Sequence, residues 1–237
     1  MLPEPVSPEP IVGVRWPLLT QSWLDLAFVH WAVEPGEVAG MMPRGVVPDT
    51  FDGATYVGLV AFRVRGTGVL RLPAIPYFGS FPETNVRLYS VDARGRRGVV
   101  FRSMDASRLL PVLAARFGFR LPYVWARMGV RASGGTIRYA GRRRDAYSRI
   151  TVRPGAPIPE PTGLEHFLTA RWAMHNAFPG RATYLPNDHP RWPLHRAELL
   201  ECDGNLLAAA GIRTPPGDPV SVLYSPGVHV RFGAPTR

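Results

Sequence analysis

Short runs of alternating or wholly apolar residues, each about a strand long and cut off by glycine or proline, recur along most of this chain. They leave room for only two or three helices. The punctuation is dense, with 24 glycines and 26 prolines in 237 residues. "WLDLAFVHWAV" (Trp23 to Val33) is apolar on both faces and rich in aromatic and branched residues, which reads as a buried strand, with a helix as the alternative. "EPGEVAGMMP" predicts one short helical turn between prolines, and "ATYVGLVAFRV" (Ala54 to Val64) a strand. "NVRLYSVDARGRRGVVFRSM" predicts a hairpin turning over Asp92 to Gly98, and "SGGTIRYAGRRRDAYSRITVRP" another turning near Gly141 to Asp145.

Two helices stand out. "DASRLLPVLAARFGF" carries Leu109, Leu110, Leu113, Ala114 and Phe117 at helical spacing. "PTGLEHFLTARWAMHNA" opens with Thr162 and Glu165 at the spacing of a capping box. Two further strands are expected near Leu206 to Arg213 and Val220 to Phe232. The count is about eight or more strands, so the fold class is mainly β (α+β) with a few helices.

The length suits one domain, placed at residues 13 to 233, preceded by a disordered, Pro-rich arm over residues 1 to 12. Hydrophobic residues at 46% against 19% charged describe a folded chain. The beginning MLPEPVSPEP has no basic or apolar signal region, and no apolar run approaches the roughly eighteen residues of a membrane span. One cysteine, Cys202, cannot form an internal disulfide, which fits a cytoplasmic setting. Its acidic neighbours Glu201 and Asp203 make it a poor nucleophile.

The net charge of +10 comes from 28 arginines with no lysine anywhere. Codon bias and arginine's bidentate recognition of anions are the two explanations. A chain without lysine cannot form a lysine Schiff base, and it lacks the lysine of a phosphate-binding loop. The basic clusters Arg94, Arg96, Arg97 and Arg142 to Arg144 read as hairpin tips, and no nucleic-acid-binding signature accompanies them. A non-catalytic, arginine-rich protein binding nucleic acid or another anionic partner is therefore the alternative reading, resting on charge alone. No metal is expected: in "DHPRWPLHRAE", His189, His195 and Glu198 match no familiar ligand spacing. His30 reads as a hydrogen-bonded core histidine. No cofactor is expected either, since GxSxG, GxGxxG and P-loop patterns are absent.

The strand "SFPETNVRLYS" aligns Glu83, Asn85 and Arg87 on one face, about 7 Å apart at each step. In "YSPGVHVRFG", His229 and Arg231 share a face opposite Val228, Val230 and Phe232. Either row meets water or lines a pocket. In a pocket, Glu83 would be the catalytic acid or base, and Asn85, Arg87, His229 and Arg231 would bind ligand.

Three stretches, "LDLAFVHWAVEP…MMPRGVVPDTFDGATYVGLVAFRV", "FPETNVRLYSVDARGRRGVVFRSMDASRLLPVLAARFGFRLPY", and "WPLHRAELLECDGNLLAAAG" with "YSPGVHVRFG", resemble the YqjF-like family of unknown function over residues 24 to 233. That family is similar to acetoacetate decarboxylase, which implies a closed, cone-shaped β-barrel with peripheral helices and a cavity inside. In such enzymes a lysine after a hairpin strand forms a Schiff base, assisted by a glutamate on the preceding strand. Glu83 falls where that glutamate is expected, whereas the lysine region, Ser103 to Leu109, holds none. The resemblance thus implies a pocket for a small oxo- or carboxylate compound, either without chemistry or with acid/base catalysis by Glu83, and in neither case through a Schiff base.

Overall fold

The computed structural model describes residues 2–70, 79–108, 121–178, 181–213, 215 and 217–236. Thirteen strands run through them: β1 (Leu19–Val33), β2 (Val46–Pro48), β3 (Thr55–Val69), β4 (Phe81–Asp92), β5 (Arg97–Ala106), β6 (Tyr123–Trp125), β7 (Arg127–Ser133), β8 (Thr136–Arg142), β9 (Tyr147–Pro157), β10 (Ala173–Phe178), β11 (Arg181–Asp188), β12 (His195–Gly204) and β13 (Ser221–Phe232). The described helices are short: α1 (Pro35–Ala39), α2 (Gly163–Thr169) and α3 (Leu206–Ala209). The helix expected around Leu109 to Phe117 lies outside the described residues.

The hydrogen-bonded path runs β1-β3-β4-β5-β10-β11-β13 and returns to its start, because β1 also pairs with β13 from Leu19↔Phe232 to His30↔Ser221. β13 passes onward through β12 to β9, β8 and β7. The sheet thereby forms a ring with a second layer extending from it. Phe28, Val60, Phe62, Tyr89, Met174 and Phe232 belong to the core inside the ring. A second core lies between the outer faces of β1, β3 and β4 (Val29, Leu59, Val86, Leu88) and the inner faces of β8 and β9 (Ile137, Tyr139, Ile150, Val152). Strands buried on both sides carry near-continuous apolar runs, which is why β1 and β3 read as they do. Val86 and Leu88 are fully buried, each contributing about 1.5–3 kcal/mol.

Both expected hairpins form, as β4–β5 and β8–β9. The capping box is present: Thr162 Oγ1 accepts from the Glu165 backbone N–H, and a Glu165 side-chain oxygen accepts from the Thr162 N–H. The helix it starts stops at Thr169, and the following residues form β10, held by parallel pairing of Met174 with Val99. A long-range pairing overrides local propensity here. The strand expected over Leu206 to Arg213 is corrected to α3; the strand precedes it as β12, whose exposure alternates at every residue. The Leu-Leu-Ala-Ala run after Gly204 favours a helical turn instead.

The Pro-rich arm, expected to be disordered, makes definite contacts with the domain. Glu4 donates its N–H to Gly95 O at 2.8 Å, Ser7 O accepts from Trp172 Nε1 at 3.0 Å, and Val6 packs on the ring core. The basic clusters sit at the two hairpin turns, as expected, but several of their arginines are held by carboxylates. Arg97 pairs with Asp49, Arg96 with Asp92, and the buried Arg143 with both Asp105 and Asp145.

Closure of the ring depends on backbone approach at Gly227, whose φ is 135°. A Cβ there would meet Trp23 O of β1 at 2.2 Å. Gly227→Ala is expected to lower stability by at least about 2 kcal/mol through combined backbone strain and overpacking. Denaturant unfolding measures this, with Gly36→Ala, which meets nothing within 4 Å, as the mild comparison.

Candidate functional site

β4 is buried along almost its whole length, and its two faces meet different surroundings. Val86 and Leu88 enter the second core, while Phe81, Glu83, Asn85, Arg87 and Tyr89 turn into the ring. The polar row therefore lines an interior cavity of about 610 Å³. Aromatic and aliphatic side chains of β1, β3, β5, β10 and β11 form most of the remaining wall, with Tyr123 of β6 and Trp192.

Glu83 is 2% exposed. Its Oε1 accepts from Asn85 Nδ2 at 3.2 Å and its Oε2 from Tyr123 Oη at 2.7 Å. Burial pushes its carboxyl up to about 7, against the pull of the Tyr123 and Asn85 hydrogen bonds, and nearby Asp105 pushes in the same direction as burial. A carboxyl poised there exchanges a proton readily at neutral pH. Burial also raises the Tyr123 phenol well above its ordinary range, so it stays a donor.

Arg87 does not pair with Glu83. Its Nε and Nη2 donate to Tyr89 Oη at 3.3 and 3.2 Å, and Nη2 also donates to Leu168 O at 2.8 Å. No carboxylate forms an ion pair with Arg87 among the described residues, so its buried charge faces the cavity without an acidic partner. Tyr89 Oη donates to Leu168 O and lies 2.7 Å from His30 Nε2. Burial first, then Arg87 and Arg171, lower the His30 pKa well below its ordinary value, which keeps it neutral. Gly58, opposite Arg87 on β3, gives the guanidinium room: a Cβ there would come within 3.1 Å of Arg87 Cγ and 3.2 Å of His30 Cδ2.

His229 and Arg231 do not join this site. Both are exposed on the outer face of β13. His229 Nδ1 lies 3.3 Å from Ser22 Oγ, and Arg231 holds Asp188 through two hydrogen bonds of 2.7 and 2.8 Å. On β13 the apolar parity, Val228, Val230 and Phe232, takes the core, leaving the polar parity to solvent. β4, covered on both sides, turns its polar parity inward. Sequence reasoning missed Tyr123, which sits on a three-residue strand placed by parallel pairing with β5.

In "DHPRWPLHRAE", His189 lies against the rings of Trp172 and Trp192, at 4.5 Å each, and His195 against Gly155 O at 3.0 Å. Among the described residues no three metal-ligating side chains come together. From Ser103 to Arg108 no lysine stands beside Glu83, and Met104 lines the cavity.

A family model described as an uncharacterized conserved protein, DUF2071, matches residues 20–229. The chain belongs to this DUF2071 family. The uncharacterized protein YqjF of Bacillus subtilis is 32% identical over 208 residues, 86% of each chain. Among solved structures, acetoacetate decarboxylase from Legionella pneumophila superimposes with a TM-score of 0.63 at 13% identity, over 98% of this chain and 92% of that one. The enduracididine biosynthesis enzyme MppR complexed with pyruvate gives 0.59 at 13% identity, over 93% and 90%. This DUF2071 protein thus has a fold like that of acetoacetate decarboxylase, and likeness at such identities carries the fold alone.

A carboxyl raised by burial makes folding pH-dependent. Glu83 ionises above 4.5 in the unfolded chain but only near 7 in the folded one. Its contribution is therefore full below 4.5 and lost as pH rises through 7, by on the order of 3 kcal/mol. Glu83→Gln is expected to remove that loss: wild type and variant should match near pH 4, with the variant more stable at pH 8. Chemical denaturation at both pH values checks it.

Proposed function

We propose that this DUF2071 protein binds an oxo- or carboxylate compound in its interior cavity, with Arg87 as the anion anchor and Glu83 as the proton carrier. The reading rests on one observation: a buried arginine without an acidic partner and a buried carboxyl held near 7 stand in one cavity wall. An anion bound at Arg87 would supply the counter-charge that the protein does not. Asn85 and Tyr123 would orient Glu83 through hydrogen bonds to both of its carboxyl oxygens. The binding of pyruvate by MppR, on a similar fold, supports the ligand class.

Schiff-base chemistry is not part of the proposal, because no lysine exists to carry it. The proposed setting is the cytoplasm, in keeping with one free, exposed Cys202 thiol. No helix among the described residues is long and apolar enough to cross a membrane. Nucleic acid is the weaker partner, since Arg96, Arg97 and Arg143 are held by Asp92, Asp49 and Asp105.

Arg87→Met tests the anchor. Binding of pyruvate or short carboxylates, followed calorimetrically, should weaken by roughly 2 to 5 kcal/mol. Stability should hold, because Glu83 keeps Tyr123 and Asn85 while Leu168 O keeps Tyr89. Unchanged affinity would remove Arg87 from the site. Borohydride reduction in the presence of pyruvate should leave no side-chain adduct; a stoichiometric internal adduct, located by mass spectrometry, would contradict the imine-free reading.

A further inference from the structure

We propose that the compound held here is amphipathic: an anionic head at Arg87 followed by a hydrocarbon or aromatic chain of about six or more carbons. The inference rests on the proposed ligand class and adds its size and polarity. The volume of about 610 Å³ lies within the range of pockets that enclose drug-sized ligands. A three-carbon acid would leave most of it empty or wet, and the wall is unsuited to water. Beyond Glu83, Asn85, Arg87 and Tyr123, its polar side-chain groups are few. Gln21 is one, and its Oε1 is taken by Trp23 Nε1 at 2.9 Å. The rest is dominated by apolar groups such as Phe28, Phe62, Phe81, Met104, Leu185 and Phe232.

Strand register gives the cavity a direction. Arg87 stands opposite Gly58 and Glu83 opposite Phe62, while the lining continues along β3 to Thr67 and Val69. Four residues of strand separate the backbones of Arg87 and Glu83 by about 13 Å. The Arg87 guanidinium is bonded on the side of Tyr89 and Leu168, away from Glu83. A molecule touching both groups must therefore be extended. Its anionic end sits in the polar corner at Arg87 and its chain passes Asn85 towards Glu83 and Phe62, with further apolar lining beyond, along β3 to Val69. The group that meets Glu83 then lies several carbons from the anionic head.

Isothermal titration with pyruvate, butanoate, hexanoate and octanoate, on wild type, Arg87→Met and Phe62→Trp, decides the matter. Each added pair of methylenes is expected to tighten binding by about fivefold to fifteenfold, the upper figure following from about 0.8 kcal/mol per buried CH₂. Arg87→Met should weaken the whole series. Phe62→Trp should weaken octanoate at least about fivefold while leaving butanoate unchanged, because Phe62, opposite Glu83, narrows only the end of the chain site distant from Arg87. If pyruvate or butanoate binds as tightly as octanoate and Arg87→Met still abolishes binding, the chain site is wrong while the anion anchor stands. Chain-length dependence that ignores Arg87→Met would remove the anchor, and with it the head group assigned here. Failure of all four acids to bind would overturn both readings.

Discussion

Burial of β4 on both faces is the constraint from which the site follows. Val86 and Leu88 lock one face into the second core against β8 and β9. The alternation of a strand then obliges Glu83, Asn85 and Arg87 to enter the ring, away from bulk water. Sliding β4 by one residue would place those polar groups in a dry apolar layer and Val86 in the cavity. The second layer of sheet thus keeps the polar row where it can meet a ligand.

Burial then divides the labour within the row. Glu83, surrounded by a phenol, an amide and apolar groups, keeps its proton up to about 7. Arg87 is held by neutral acceptors, Tyr89 Oη and Leu168 O, so its charge is oriented but left without a counter-charge. Had the two formed an ion pair, the carboxyl would have been drawn down and the guanidinium neutralised, leaving neither free for a ligand. Four residues of strand and the intervening Asn85 keep them apart.

Much of this is legible in the sequence. Strand runs, two hairpin turns and the Thr162–Glu165 capping box follow from local chemistry, and the structure reproduces them. The alternation in "SFPETNVRLYS" marks which residues share a face, but coverage of the faces is a long-range property. The same parity argument that brings Glu83, Asn85 and Arg87 together therefore misplaces His229 and Arg231, whose face of β13 is exposed. Tyr123 and the pairing choice of Arg87 depend on β6 lying beside β5 and on α2 presenting Leu168 O. Neither is encoded near those residues. The stretch after Gly204 misleads because a Leu/Ala run following an alternating strand carries two periods at once.

The proton on Glu83 is the centre of the account, and it can be observed directly. Carbon-detected NMR of protein labelled at the glutamate side-chain carboxyl carbons, titrated from pH 4 to 9 beside Glu83→Gln, isolates the signal of this residue. One carboxyl titrating near 7 and missing from the variant is the expected result. If every glutamate titrates between about 4 and 5, the buried acid does not exist and the reading of the cavity falls with it.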